Sequence, residues 1–358
     1  MSTTAPFAKT WAAANYMSPV GQTLFSSQIE TLTLLQLLGN DLSAKALIRS
    51  VNRSPYTKAV RRVYATALLC NCLRPAIPKL QGVMDKMIEV IEAKRQRGPV
   101  DFQKLCVRMT LDAIGVVALG ANLGGLDGSS HMYDLLVAAS HITFSLAADP
   151  FRAFLYKRLP SLKGVQEMKA TIDAMTAEWD ALTREILTRE DPPAGEKPIW
   201  HLLRTMIDPE TGRMIDYKSL LSEVASVVAA GTDSTGHQLS HILALLASHP
   251  DVVEKLIEEL KKHGLYGPGC KPVTSEDFSD LTYLAAIVKE GMRVSHVVVH
   301  IFDREVPKDM KILGYRVPKG TIVALPANRW INSETEWGDP DVFRPERWLT
   351  GEDMSQKY

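Results

Sequence analysis

The sequence predicts a mainly α-helical fold with a small antiparallel β portion, and three observations carry that reading. Long stretches repeat their apolar residues with a helical period, and one of them, Leu220–Ser248, is apolar on almost every face, as a helix surrounded by protein must be. The period changes only late, between Lys311 and Leu325, where two short alternating runs flank Pro318-Lys319-Gly320 and read as a hairpin. The 358 residues, 46% apolar and 23% charged, suffice for one large folded core.

Composition also excludes function classes. Lysine plus arginine and aspartate plus glutamate number 41 each, so nothing draws the protein as a whole towards nucleic acid, and no nucleic-acid partner is expected. Cys70, Cys72, Cys106 and Cys270 have no paired CxxC spacing and no histidines at zinc-finger distances; they read as buried thiols in a reducing compartment. Residues 1–21 lack a basic start followed by an apolar core, so neither a signal peptide nor an anchor is visible, and localisation is unknown from this chain.

Taken in order, Gln28–Leu38 reads as an amphipathic helix ended by Gly39-Asn40, and Ser54-Pro55 starts the next with a serine cap and a first-turn proline. That helix carries Thr57, Lys58, Arg61 and Arg62; Arg61 shares a face with Thr57 and could hold a ligand carboxylate, with a solvated basic face as the structural alternative. Pro75–Arg97 is amphipathic, and Phe102–Leu119 is an apolar helix closed by Gly120. His131–Leu146 and Gly164–Arg189 are two more helices, separated by Pro150-Phe151 and Pro160; Phe144, Phe151, Phe154 and Leu155 between them could roof a pocket. After the central helix come Asp251–Lys262, Leu281–Val294 with Glu290 and Arg293 three apart, the hairpin, and an extended meander through Phe343–Trp348.

The central helix is interrupted by Ala230-Gly231-Thr232-Asp233-Ser234-Thr235. Gly231 costs a helix about 1 kcal/mol, so close approach to the backbone is expected there, as by a flat ligand. Ser234 and Thr235 can turn their hydroxyls onto the carbonyls of Ala230 and Gly231, loosening the helix, and Asp233 beside them is placed as a proton relay requires. A kink with satisfied polar groups is the structural alternative. His237 and His241 are four apart, as are His296 and His300, but Gln238 follows His237 where a HExxH base would stand, so no metal site is assigned. The nucleophile elbow, the P-loop and the dinucleotide fingerprint are absent.

Four of these signals, in this order, resemble the haem-thiolate monooxygenases of the cytochrome P-450 family. Ala230–Thr235 is similar to its A-G-x-[D/E]-T-T segment, Glu290-Gly291-Met292-Arg293 to its E-x-x-R helix, Gly314-Tyr315-Arg316-Val317-Pro318-Lys319-Gly320-Thr321 to its G-Y-x-[I/V]-P-x-G-T hairpin, and Phe343–Trp348 to its F-x-P-E-R-[F/W] meander. Softer likeness reaches back to Ser54-Pro55 and Leu111-Asp112-Ala113-Ile114-Gly115, leaving 1–40 as a segment of faint likeness and 41–358 as an incomplete domain of that fold. Ser234 stands where the family usually has threonine, and His296 where a proline usually follows the E-x-x-R helix.

The resemblance implies haem b against Ala230 and Gly231, with Thr57 also cofactor-binding and the propionates near Arg61 and Arg304, proton delivery to bound dioxygen by Asp233 with Ser234 or Thr235, and a structural network of Glu290, Arg293 and Arg347. It implies as partners O2, an apolar organic substrate beneath the Phe144–Phe154 region and a flavoprotein reductase approaching Lys58–Arg62, with the endoplasmic-reticulum membrane as a location for a full-length parent. The family's haem-ligating cysteine follows the meander in a glycine-rich loop that is not found before Tyr358. The expectation is therefore a fragment, truncated at both ends and inactive as written because the thiolate drives the chemistry; the alternative is a degenerate, non-catalytic helical binding protein of the same fold.

Overall fold

The computed structural model describes residues 55–67, 74–193, 196–297, 301–325 and 327–350, so the helix expected at Gln28–Leu38, the cap at Ser54, Cys70, Cys72 and His300 lie outside it. The described residues form two compact units divided at His237/Gln238. In the first, the helices are α1 (Pro55–Ala67), α2 (Ile77–Arg95), α3 (Phe102–Ile114), α4 (Met132–Ala148), α5 (Pro150–Arg158), α6 (Lys163–Thr188) and α7 (Ile199–Arg204). The division falls within α8 (Tyr217–Ser248). The second unit continues with α9 (Pro250–Lys262), α10 (Asp277–Asp280), α11 (Thr282–Val294), strands β1 (Ile301–Glu305), β2 (Met310–Ile312), β3 (Tyr315–Val317) and β4 (Ile322–Leu325), and short helices α12 (Ala327–Ile331) and α13 (Glu334–Trp337). The fold is therefore mainly helical with a small antiparallel portion. No helix among the described residues is long and apolar enough to cross a membrane.

Local chemistry explains the boundaries. Asp101 caps α3 by accepting from Lys104 N at 3.0 Å, and Asp216 caps α8 by accepting from Ser219 N at 3.0 Å. α3 ends in a π turn, Gly115–Leu119, closed by Gly120 at φ 67°. The Pro150-Phe151 break expected from the sequence is a helix start: Asp149 accepts from Phe151 N and Arg152 N at 3.0 and 3.1 Å, and Pro150 occupies the first turn of α5, where no amide hydrogen is needed.

The core of the first unit gathers Tyr56 and Val60 from α1, Leu111 from α3, Ile172 and Trp179 from α6, Trp200 and Leu203 from α7, and Leu220, Val224 and Val228 from α8. That of the second gathers Ile242, Val252, Tyr283, Ile287 and Phe343. Central-helix residues thus serve both cores. α8 is continuous, without the interruption expected at residues 230–235: Thr232 and Ser234 turn their hydroxyls onto the helix's own carbonyls and leave the ladder intact.

The hairpin differs from expectation. β2 pairs with β3 in the register Met310↔Val317, Lys311↔Arg316, Ile312↔Tyr315, turning at Leu313 (φ 50°) and Gly314 (φ 87°), a two-residue connection with both residues in the left-handed region. β4 pairs with β1, not with β3, so Pro318-Lys319-Gly320 links two separate sheets. Asp309 steadies that link by accepting from Lys319 N and Arg316 Nη2, both at 2.9 Å.

Two glycines in helices give opposite expectations. A Cβ on Gly236 would lie 2.6 Å from the Val107 backbone, whereas one on Gly82 in α2 meets nothing within 4 Å. Gly236→Ala should cost about 1–3 kcal/mol, and Gly82→Ala should stabilise by about 0.5–1 kcal/mol. Urea unfolding of the two variants beside the parent chain reads both signs.

Candidate functional site

The polar segment of α8 is built on a helix whose other faces are committed to packing. Val228, Thr232 and Gly236 succeed one another at four-residue spacing on one buried face. Thr232 Oγ1 donates to Val228 O at 2.7 Å, and the Thr232 carbonyl accepts from Thr110 Oγ1 of α3 at 2.7 Å. Gly236 admits that approach, since its missing side chain leaves room for Val107 and the Thr110 hydroxyl. Gly231 serves the same purpose: a Cβ there would fall 2.7 Å from Ile114, so what comes close to this glycine is a neighbouring helix in the space where a flat ligand was expected.

A different face stays open. Ala230 and Thr235 are exposed, and Asp233 and Ser234 are half-buried. Ser234 Oγ donates to Ala230 O at 2.6 Å, which draws the hydroxyl against the helix. Asp233 engages one turn ahead, its Oδ1 lying 3.2 Å from His237 Nδ1, which is also 2.8 Å from the Asp233 carbonyl. Burial opposes a charge on His237, but the Asp233 side chain, its charge and that carbonyl outweigh it and raise the imidazole above its ordinary pKa.

In the same unit α1 is tied to α8 through Glu223, which is completely buried. Tyr64 Oη donates to Glu223 Oε2 at 3.2 Å, and Tyr56 Oη lies 3.4 Å from Oε1. Burial first, and then the Glu223 charge, push both phenols up. Thr57 on this helix is buried, while Lys58, Arg61 and Arg62 are exposed. Neither tyrosine nor Glu223 was singled out from sequence; the only signal was an acid within an otherwise apolar helix. On β1 of the second unit, Arg304 stands opposite Val323.

The second unit holds the densest polar cluster. Glu290 is completely buried on α11, and Arg293 Nε and Nη2 meet its two oxygens at 2.9 Å each, a bidentate pair. Arg347 Nε donates to Oε1 at 2.9 Å, Arg344 N to the same oxygen at 3.0 Å and Trp348 Nε1 to Oε2 at 2.8 Å. The remaining guanidinium hydrogens go to the carbonyls of Pro340 and Val342 from Arg293, and to Trp337 O and Asp339 Oδ1 from Arg347. Burial favours protonation of Glu290, but these donors and the Arg293 charge hold it below its ordinary pKa. Trp348 and Asp339 are members the sequence reading did not name. Gly291, next to Glu290, lets α11 pack on Ile242, to whose side chain an added Cβ would come within 2.5 Å.

The histidines fall in different settings. His241 Nδ1 meets Ser295 Oγ at 2.9 Å, and burial holds His296 below its ordinary pKa. Among the described residues, no three histidine, cysteine or acidic side chains cluster as metal ligands would. Cys106 is buried and its thiol is pushed up to about 11 by that burial, whereas Cys270 is exposed on a loop, correcting the expectation of a buried thiol there.

The family profile described as Cytochrome P450 matches residues 39–358. The chain is 25% identical over 311 residues to "Cytochrome P450 71A8" of Mentha piperita, covering 82% of this chain and 58% of that protein. To "Cytochrome P450 3A28" of Bos taurus it is 26% identical over 306 residues, covering 81% and 58%. The chain thus spans less than two thirds of the length of these relatives. Among solved structures, the crystal structure of a cytochrome P450 (CYP102L1) superposes with a TM-score of 0.73 at 18% identity, covering 90% of this chain and 68% of that one. The retinoic acid bound cyanobacterial CYP120A1 gives 0.69 at 21%, covering 89% and 66%.

Glu290→Ala should cost about 3–5 kcal/mol, since it strands two buried guanidinium groups. Because the folded-state pKa of Glu290 is depressed, its contribution is complete above the unfolded value of about 4.3 and is lost as pH falls through the folded value. Urea unfolding at neutral and acid pH should show the variant's deficit shrinking only on the acid side.

Proposed function

This chain belongs to the cytochrome P450 family, whose cofactor is haem, and from that premise we propose that it forms part of a monooxygenase that inserts one oxygen atom of O2 into an apolar organic substrate. The observation that carries the reading is a strip at the middle of α8, with Ala230 exposed, Ser234 drawn back onto the helix and Asp233 half-buried beside it. That strip fits a flat, apolar macrocycle, because the hydroxyl that could obstruct it is folded away. Haem, when bound, supplies an iron that binds and activates dioxygen.

The chain's own residues would then divide the work. Ala230 offers the contact surface, and Gly231, by admitting Ile114, sets how α8 lies on α3. Arg61 and Arg304 would hold the propionates, and Thr57 would be a further haem contact. Asp233 with Ser234 or Thr235 would hold and pass protons; Ser234 must swing from Ala230 O to do so, and as a serine it lacks the methyl that restricts threonine's rotamers. Phe151 and Phe154, exposed on α5, supply apolar surface for a substrate. The exposed cations Lys58 and Arg62 suit an acidic flavoprotein reductase as electron donor. Glu290, Arg293 and Arg347 have a structural role.

A thiolate ligand is not found among the described cysteines, because the burial that pushes the Cys106 thiol up disfavours its anion and Cys270 sits on a surface loop.

In the haem-loaded whole monooxygenase of which this chain forms part, with its reductase, Ser234→Ala/Thr235→Ala should divert electrons to hydrogen peroxide at least tenfold relative to the unsubstituted protein. An unchanged peroxide yield per electron pair would sink the proton-delivery assignment. Expressed as these 358 residues and supplied with haem, the chain should show no thiolate-type carbon monoxide band. Such a band would make Cys70, Cys72, Cys106 or Cys270 the ligand and overturn this reading.

A further inference from the structure

The pair formed by Asp233 and His237 has a task that proton delivery does not by itself require. Residues four apart share a helix face, and here an imidazole nitrogen reaches both the carboxylate, at 3.2 Å, and the backbone carbonyl, at 2.8 Å, of the same residue. Two acceptors on Nδ1 fix the proton there, so gain or loss of charge occurs at Nε2. The pair is only partly exposed, 29% for Asp233 and 25% for His237, so solvent screening is limited.

We propose that His237 is a positioning residue for Asp233: the charged imidazole keeps the carboxylate turned towards the next turn of α8, and loss of that charge frees it to serve the hydroxyl of Ser234. This rests on the reading of Asp233 as a proton carrier. The bond from Nδ1 persists in the neutral ring, but a charge-assisted hydrogen bond is about twice as strong as a neutral one. The imidazole charge therefore sets how readily the carboxylate leaves.

The surroundings of the pair are themselves charged. From α4, the Tyr133 phenol feels the Asp233 charge. From α3, the Arg108 guanidinium lies 4.6 Å from the Tyr133 ring and 3.6 Å from Asp134, and the Lys104 ammonium lies 5.6 Å from the same ring. Asp101 also acts on Tyr133. On α8 itself, His241 bonds Ser295. Arg108 and Lys104 bring basic side chains to this neighbourhood, and Asp134 and Asp101 bring carboxyl groups. His237 is the group placed to change the state of Asp233 near neutral pH.

The consequence runs against simple proton supply. If delivery depended only on proton concentration, raising the pH would raise the peroxide released per dioxygen consumed. With His237 as the clamp, peroxide falls as pH rises through the His237 midpoint, because Asp233 is released.

Two measurements test this. In the full chain, the His237 ring signal followed by NMR should titrate above the ordinary imidazole value of about 6.5, and Asp233→Asn should lower that midpoint, since the carboxylate charge is gone and the backbone carbonyl of that residue is left to oppose burial. In the haem-loaded protein with reductase and no added substrate, peroxide per dioxygen should fall about threefold across the midpoint in the parent and stay flat in His237→Gln. A His237 midpoint unmoved by Asp233→Asn overturns the clamp, and a parent-like inflection in His237→Gln overturns the positioning role. Parent-like peroxide in Asp233→Asn together with a shifted His237 midpoint removes Asp233 as the proton carrier and the proposal with it, while leaving the pair itself established. The failure of the underlying reading is thereby told apart from failure of the clamp.

Discussion

A helix enclosed by protein can be approached only as closely as its own side chains permit, and this limit governs how both units are built around α8. Where Thr110 donates to the Thr232 carbonyl, the contact is a backbone group of one helix on a side chain of another, and it needs Gly236 beside it to leave space. Ile114 settles against Gly231 in the same manner, and in the second unit the relation is inverted, Ile242 of α8 filling the space that Gly291 leaves on α11. Interiors pack as densely as organic crystals, so these positions tolerate little added volume. The hydroxyls of Thr232 and Ser234 meet carbonyls of the same helix, which leaves neither of these two donors stranded.

Two completely buried glutamates are accommodated by different means. Glu290 receives guanidinium, amide and indole hydrogens from Arg293, Arg347, Arg344 and Trp348. Glu223 receives phenol hydrogens from Tyr64 and Tyr56. Burying a carboxylate is costly unless donors replace its water, and the two solutions differ in what they fix. Guanidinium groups impose direction through their planar fork, so the Glu290 cluster places a whole meander. The phenols are further away and fasten one helix, α1, against another.

Much of this was legible in the chain. The helical period gave α2, α4, α6, α9 and α11 within a few residues, and the ordered motifs at Ala230–Thr235, Glu290–Arg293 and Phe343–Trp348 pointed to the residues that cluster in each unit. The misses have physical causes. Pro150-Phe151 looked like a break because proline stops helices, yet at a first turn it begins one. The hairpin turn was displaced because Leu313 gives no hint of a positive φ, whereas Pro-Lys-Gly does suggest a turn. Gly231 announced a close approach, but sequence does not say what approaches, and Ile114 lies far back in the chain. Trp348 was visible within a motif, but its indole hydrogen finds Glu290 only through tertiary placement.

The Glu290 cluster also bears on the order in which the chain can become structured. Arg293 is three positions from Glu290 and can pair with it as soon as α11 forms, but the other donors come from Arg344, Arg347 and Trp348, separated from Glu290 by 54, 57 and 58 positions. Closing such a loop is paid in chain entropy before any bond is returned. While the chain emerges from its N-terminus, α11 is therefore complete well before its carboxylate can be dried, and that face of the helix must keep its water in the interval. Dehydration of α11 and docking of the meander become a single late event, and a chain cut anywhere between Val294 and Trp348 would leave a helix unable to enter its own core.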